Sequence, residues 1–66
     1  MATIYTTAAE AIEASASSGE IKRCERNEQN LVDLNDASDD GADGDETEFW
    51  GLTTAGKYWR VHCAAA

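Results

Sequence analysis

Apolar and polar positions alternate most clearly between Glu48 and Cys63, on either side of Thr54-Ala55-Gly56. Two β-prone runs joined by three residues ending in Gly predict a hairpin, its loop a type I turn followed by a left-handed Gly56. Thr53 then faces Lys57, and the pairs continue as Leu52–Tyr58, Gly51–Trp59, Trp50–Arg60, Phe49–Val61 and Glu48–His62. One face reads Phe49, Val61, Trp59 and Cys63, with Gly51 leaving room for the Trp59 ring. The other carries Trp50 beside Arg60, Leu52 beside Tyr58 and Glu48 beside His62. A slip of one residue would oppose Phe49 to Arg60 and scatter both faces, so the pattern specifies its own register.

Towards the N-terminus the period changes. Thr3-Ile4-Tyr5-Thr6 is β-prone and predicts a short strand. Thr7-Ala8-Ala9-Glu10 has the form of a capping box, which predicts a helix from Ala8 to Ser17 with Gly19 as its stop. Its apolar stripe is Ala8, Ile12 and Ala16 with Ala11 alongside, a surface of small groups that calls for a large partner. The Trp-rich hairpin is the candidate. Residues 20–35 fit two patterns. As a helix, Ile21, Cys24, Leu31 and Leu34 fall near one face, but Asn27 and Glu28 interrupt it. As strands, Glu20–Arg26 and Leu31–Asn35 flank Asn27-Glu28-Gln29-Asn30, and Asn favours turns, so the strand reading is preferred. The acidic, Gly- and Ser-containing stretch at about 36–47 has nothing to bury and predicts a mobile loop. The expected fold class is α+β: one small domain over 1–66, a small antiparallel β-sheet with one α-helix packed on one face and a C-terminal β-hairpin.

Composition limits what such a domain can do. Of its 66 residues 42% are hydrophobic, but twelve of those twenty-eight are Ala. A chain this short hides only ~60% of its unfolded surface, and a core of this size rarely supplies more than ~3–5 kcal/mol. A deep substrate pocket is not expected, nor an enzyme or a cofactor. The formal net charge is −8, which repels both nucleic acid and anionic membranes and makes a basic protein the natural partner. No apolar run approaches the ~20 residues that span a bilayer. The first twenty residues carry no Lys or Arg, unlike a secretory signal. The expected setting is cytoplasmic, with both thiols reduced and the protein monomeric.

Several site chemistries can be weighed on spacing. Asp36-x-Ser38-x-Asp40-Gly41 matches the opening of a calcium loop, but the twelfth position is Thr47 instead of a bidentate Glu. His62, Cys63 and Cys24 are too few soft ligands for structural zinc. Neighbours in a strand point to opposite faces, so His62 cannot activate Cys63. Both Cys read as small apolar filler. The terminal Cys63-Ala64-Ala65-Ala66 satisfies a prenylation pattern by letter, yet lacks the basic flank that anchoring needs. No catalytic and no metal residue is assigned.

The acidic tract is the feature with most to explain. Between Arg26 and Lys57 the chain has no basic side chain and nine carboxylates, including Asp33, Asp36, Asp39, Asp40, Asp43, Asp45, Glu46 and Glu48. The simplest reading is a solvated, self-repelling loop. The functional reading is an imitation of a nucleic-acid backbone. A DNA strand carries one charge per ~3.4 Å, against roughly one per 7 Å for an extended Asp33–Glu48 segment, a gap that folding against other acidic faces would narrow. Trp50 and Tyr58 are candidate contact anchors, aromatic side chains beside charge being typical of binding hot spots.

A very short, acidic, Cys-poor chain with mixed α and β patterns and the acidic run Asp33–Glu48 resembles the phage-encoded anti-CRISPR inhibitors of the DNA-mimic kind. The resemblance spans the whole chain, rests on size and charge, and contains no diagnostic residue pattern. It implies an inhibitor without catalytic residues that covers the DNA-binding surface of a CRISPR effector, the type I surveillance complex and its Cas subunits being the candidate target, in the cytoplasm of a bacterial host. The alternative is a small protein-binding adaptor that uses the aromatic hairpin face, its acidic loop serving only solubility. Coincidence of the calcium-loop match has a direct check. Millimolar calcium should give only weak, unsaturable screening in calorimetry, whereas a saturable isotherm abolished by Asp36→Asn would establish a calcium site.

Overall fold

Thr7 starts the first helix as its sequence suggests. Its hydroxyl accepts the Glu10 N–H at 3.3 Å and donates to Glu10 Oε1 at 2.9 Å. The helix, α1, runs Ala8–Ser18 and stops at Gly19, whose φ of 75° suits a residue without Cβ and lets its N–H reach Ser15 O. The computed structural model describes residues 3–39 and 48–64. Around α1 lie the strands β1 (Ile4–Tyr5) and β2 (Lys22–Cys24), then a second helix, α2 (Glu28–Ala37), and the strands β3 (Glu48–Leu52) and β4 (Tyr58–Cys63).

The sheet order is β1-β2-β4-β3. β1 pairs with β2, and β2 with β4, in parallel; only β3 and β4 are antiparallel. The α+β class stands, but the antiparallel sheet with a single helix is corrected to a mixed sheet with two. The strand reading of residues 20–35 holds only for Lys22–Cys24. The cause is Asn27, whose side chain caps α2 by accepting the Asn30 N–H at 2.8 Å instead of turning a hairpin. Leu31 and Leu34 then sit one turn apart, with Leu34 fully buried and Leu31 partly so. α1 carries the chain back from the end of β1 to the start of β2, so these two neighbours pair in parallel, and α2 with β3 brings β4 in parallel on the other side of β2.

The hairpin has the expected register, from Glu48↔His62 to Leu52↔Tyr58. Thr53 N–H reaches Lys57 O at 2.8 Å, Gly56 N–H reaches Thr53 O at 2.9 Å, and Gly56 has φ 81°. Strand alternation turns Phe49, Gly51, Trp59, Val61, Cys63 and Cys24 to one face, all of them buried. Both helices pack there, with Ala8 and Ala11 of α1 and Leu34 of α2 completing one core cluster. Trp59 is 1% exposed and is the largest buried side chain. A Cβ on Gly51 would meet Trp59 Cζ2 at 3.1 Å, Ala37 O at 3.1 Å and Asp39 N at 3.2 Å. Gly51 therefore makes room for the indole and also for the backbone at the end of α2.

Two buried polar side chains join the layers. Asn30 Oδ1 accepts the Ala8 N–H at 3.0 Å, while Nδ2 donates to Thr6 O at 3.0 Å and Glu25 O at 2.8 Å. One amide thus satisfies a first-turn donor of α1 and carbonyls in two loops. Ser15 Oγ accepts the Arg60 N–H at 2.8 Å, and its single proton has Glu20 O at 2.8 Å and Arg60 O at 3.0 Å as acceptors. Arg60 needs this help because β2 begins at Lys22, opposite Val61, leaving Arg60 without a strand neighbour on that side.

Trp59→Ala should cost ~3–5 kcal/mol, comparable to the whole stability of so small a domain. Gly51→Ala should cost about 1–3 kcal/mol, because two of the three close neighbours are backbone atoms that cannot swing away. Denaturant melts of both variants check this. A cooperative Trp59→Ala transition near that of the parent would place the core elsewhere.

Candidate functional site

The second face of the sheet is built by the same alternation. It carries Ile4 on β1, Arg23 on β2, Tyr58, Arg60 and His62 on β4, and Glu48, Trp50 and Leu52 on β3. None of these residues is buried, and no described element covers them. Leu52 is 53% and Tyr58 56% exposed, while Trp50 is half-buried. Three large apolar side chains are thus neighbours on an open surface, a pattern associated with contact sites.

The polar groups of this face are organised around Glu48. Arg60 donates from both Nε and Nη2 to Glu48 Oε1. His62 Nε2 lies 3.5 Å from Glu48 Oε2, within ion-pair reach but without hydrogen-bond alignment. Glu48 is only 23% exposed at its side chain, so it serves its two neighbours on β4 and is a poor free anion. Arg23 adds a further cation to the face.

The opposite, helical layer has one sign of charge. Glu10 and Glu13 on α1 and Glu28, Asp33 and Asp36 on α2 are unaccompanied by any Lys or Arg on either helix. All five basic residues of the chain lie on strands or in loops. Asp36 occupies the last turn of α2, where the helix dipole disfavours a carboxylate by typically 0.3–1 kcal/mol. Glu28, in the first turn, is favourably placed by the same field. Asp33 accepts from Gln29 Nε2 at 2.9 Å, and Asp39 is exposed while its backbone N–H reaches Trp50 O at 3.1 Å.

The residues singled out from the sequence therefore divide. Glu48, Trp50 and Tyr58 share the open sheet face, Asp33 and Asp36 belong to α2, and Asp39 follows it. Asp40, Asp43, Asp45 and Glu46, with most of the loop expected at about 36–47, lie outside the described residues. Asp36 and Ala37 are helical and so leave that loop. Leu52, Arg60 and His62 join the sheet face as the hairpin register implies. Arg23 and Ile4 were missed because strands of three and two residues leave almost no alternation to read.

Among the described residues no group of three or more His, Cys, Asp or Glu is placed to hold a metal ion. A shallow groove of about 280 Å³ is lined by Tyr5, Glu10, Glu13, Ala14 and Ser17. No described helix is long and apolar enough to cross a membrane. The chain matches no protein-family model, no curated protein and no solved structure.

Proposed function

We propose that this protein is a non-enzymatic inhibitor that occupies the nucleic-acid-binding surface of a basic protein by acidic charge mimicry of DNA. The observation that carries the reading is the segregation of charge: five carboxylates and no basic residue on the two helices. A layer of one sign presents a coherent field to a partner, whereas interspersed charges would cancel within a Debye length of ~8–10 Å. Asp39, Asp40, Asp43, Asp45 and Glu46 continue this excess along the chain, whereas Glu48 is taken up by Arg60 and His62. Asp36 supports the reading because its local effect on α2 is unfavourable, as expected of a group whose use lies in binding. The proposed target is a CRISPR effector of the type I surveillance kind in a bacterial cytoplasm, contacted by a monomer without cofactor, membrane or direct nucleic-acid binding.

One observation favours a second reading. The open face of Trp50, Leu52 and Tyr58 suits a protein-binding adaptor, with the acids serving solubility. The two readings place the contact on different residues, and so separate experimentally.

Under charge mimicry, affinity for a purified type I surveillance complex should fall steeply with salt, because each ion pair competes with counterions. Replacing Asp39, Asp40, Asp43 and Asp45 together by Asn should slow association, let duplex DNA displace the inhibitor more easily, and leave the melting transition almost unchanged. Kinetic binding assays with and without competing duplex measure all three. An unchanged affinity and salt slope would remove the tract from the mechanism, and loss of binding only in a Leu52→Ser, Tyr58→Ser variant would select the adaptor.

A further inference from the structure

Cys24 and Cys63 are direct partners in the parallel β2–β4 ladder. Both turn into the core, at 0% and 6% exposure, and the two thiols are close enough to hydrogen bond. Both are thiols and not a disulfide in this structure. We propose that they form a reversible dithiol–disulfide pair that closes β2 covalently onto β4. Neighbouring strands are ~4.7–4.9 Å apart, inside the ~4.4–6.8 Å Cα separation that disulfides span. The Ala64 N–H bonds Cys24 O at 2.8 Å, which holds the two strand ends in register just beyond the pair.

The chemistry needs an external oxidant, and a small-molecule disulfide supplies it. Cys63 is the entry point, because it is the more accessible of the two and ends its strand, where local opening is easiest. Its thiolate attacks the small disulfide, forming a mixed disulfide and releasing one small thiolate. Cys24 then loses its proton and attacks the Cys63 sulfur, breaking the mixed S–S bond and expelling the second thiolate, which takes up a proton. In sum two protein thiols are oxidised, one small disulfide is reduced to two thiols, and the protein loses two hydrogens. Burial, with the neighbouring Cys63, pushes the Cys24 thiol up to about 12, which makes Cys24 the resolving and not the initiating sulfur.

The bridge would join residues distant in sequence and so restrict the unfolded chain. It would lie in the core, away from the open sheet face and the helical carboxylates. The test incubates the native full chain with oxidised glutathione, quenches with acid, and reads intact mass, thiol count and melting midpoint. The expected product is a monomer lighter by two hydrogens, with no free thiol and a midpoint several degrees higher, reversed by dithiothreitol. Cys24→Ser should stop at a glutathione adduct on Cys63, and Cys63→Ser should resist modification while folded. Disulfide-linked dimers, an oxidised monomer that melts lower, or thiols that react only after denaturation would each overturn the proposal.

Discussion

One indole sets the dimensions of this molecule. Trp59 is the largest buried side chain, Gly51 lies against its ring across the hairpin, and Ala8 and Ala11 of α1 belong to the same core cluster. Small groups let the helix and the neighbouring strand approach the ring closely enough for dispersion contacts, which fall away over fractions of an ångström. The alanines that dilute the chain's hydrophobicity are therefore complementary to its largest side chain. Gly51 has the further effect of admitting the backbone at the end of α2.

The C-terminal hairpin was readable because two independent signals agree there. The left-handed Gly56 defines the turn, and the alternation defines the faces. The first helix was readable for the same reason, with Thr7 and Gly19 at its ends. Its apolar stripe was readable too, except for one buried polar position. Ala8 and Ala11 are buried and Ile12 and Ala16 pack partly buried against the core as expected, while Ser15 is a further buried position whose hydroxyl bonds the Arg60 backbone. Asn27 misled for a clear physical reason: the amide that turns a hairpin also caps a helix, and only the contacts of Leu31 and Leu34 decide between them. Asn30, read as a turn residue, is the buried amide to which three backbone groups bind. Of the candidate site, the aromatic pair was visible in the hairpin pattern. Its company, Arg23 and Ile4, depends on parallel pairing between very short strands and left no periodic trace.

The two layers differ in chemistry as well as in structure. Neither the Ala- and Ser-rich α1 nor the more polar α2 gains from salt links across a turn, since no i, i+4 cation is available on either helix. Their stability must come from the inner face and from the side-chain bonds at their ends. The sheet's outer face works differently, with Glu48 drawing Arg60 and His62 together on the face that also carries Trp50 and Tyr58. The sheet thus separates the helical acids from Arg23 and Arg60, while Lys22, on the helical side, is taken up by Glu20.

The strand order has a consequence for how such a chain is made. β4 is the last strand in chain order but occupies an interior place, between β2 and β3. During synthesis the ribosome delivers β1, α1, β2, α2 and β3 before the strand that connects them. Until β4 emerges, the two-strand β1–β2 ribbon lacks the indole its helix is shaped for, and β3 has no partner at all. A polypeptide that has not yet reached β4 lacks Trp59, Val61 and Cys63 and so cannot complete the core cluster, while its acidic surplus opposes aggregation in the interval.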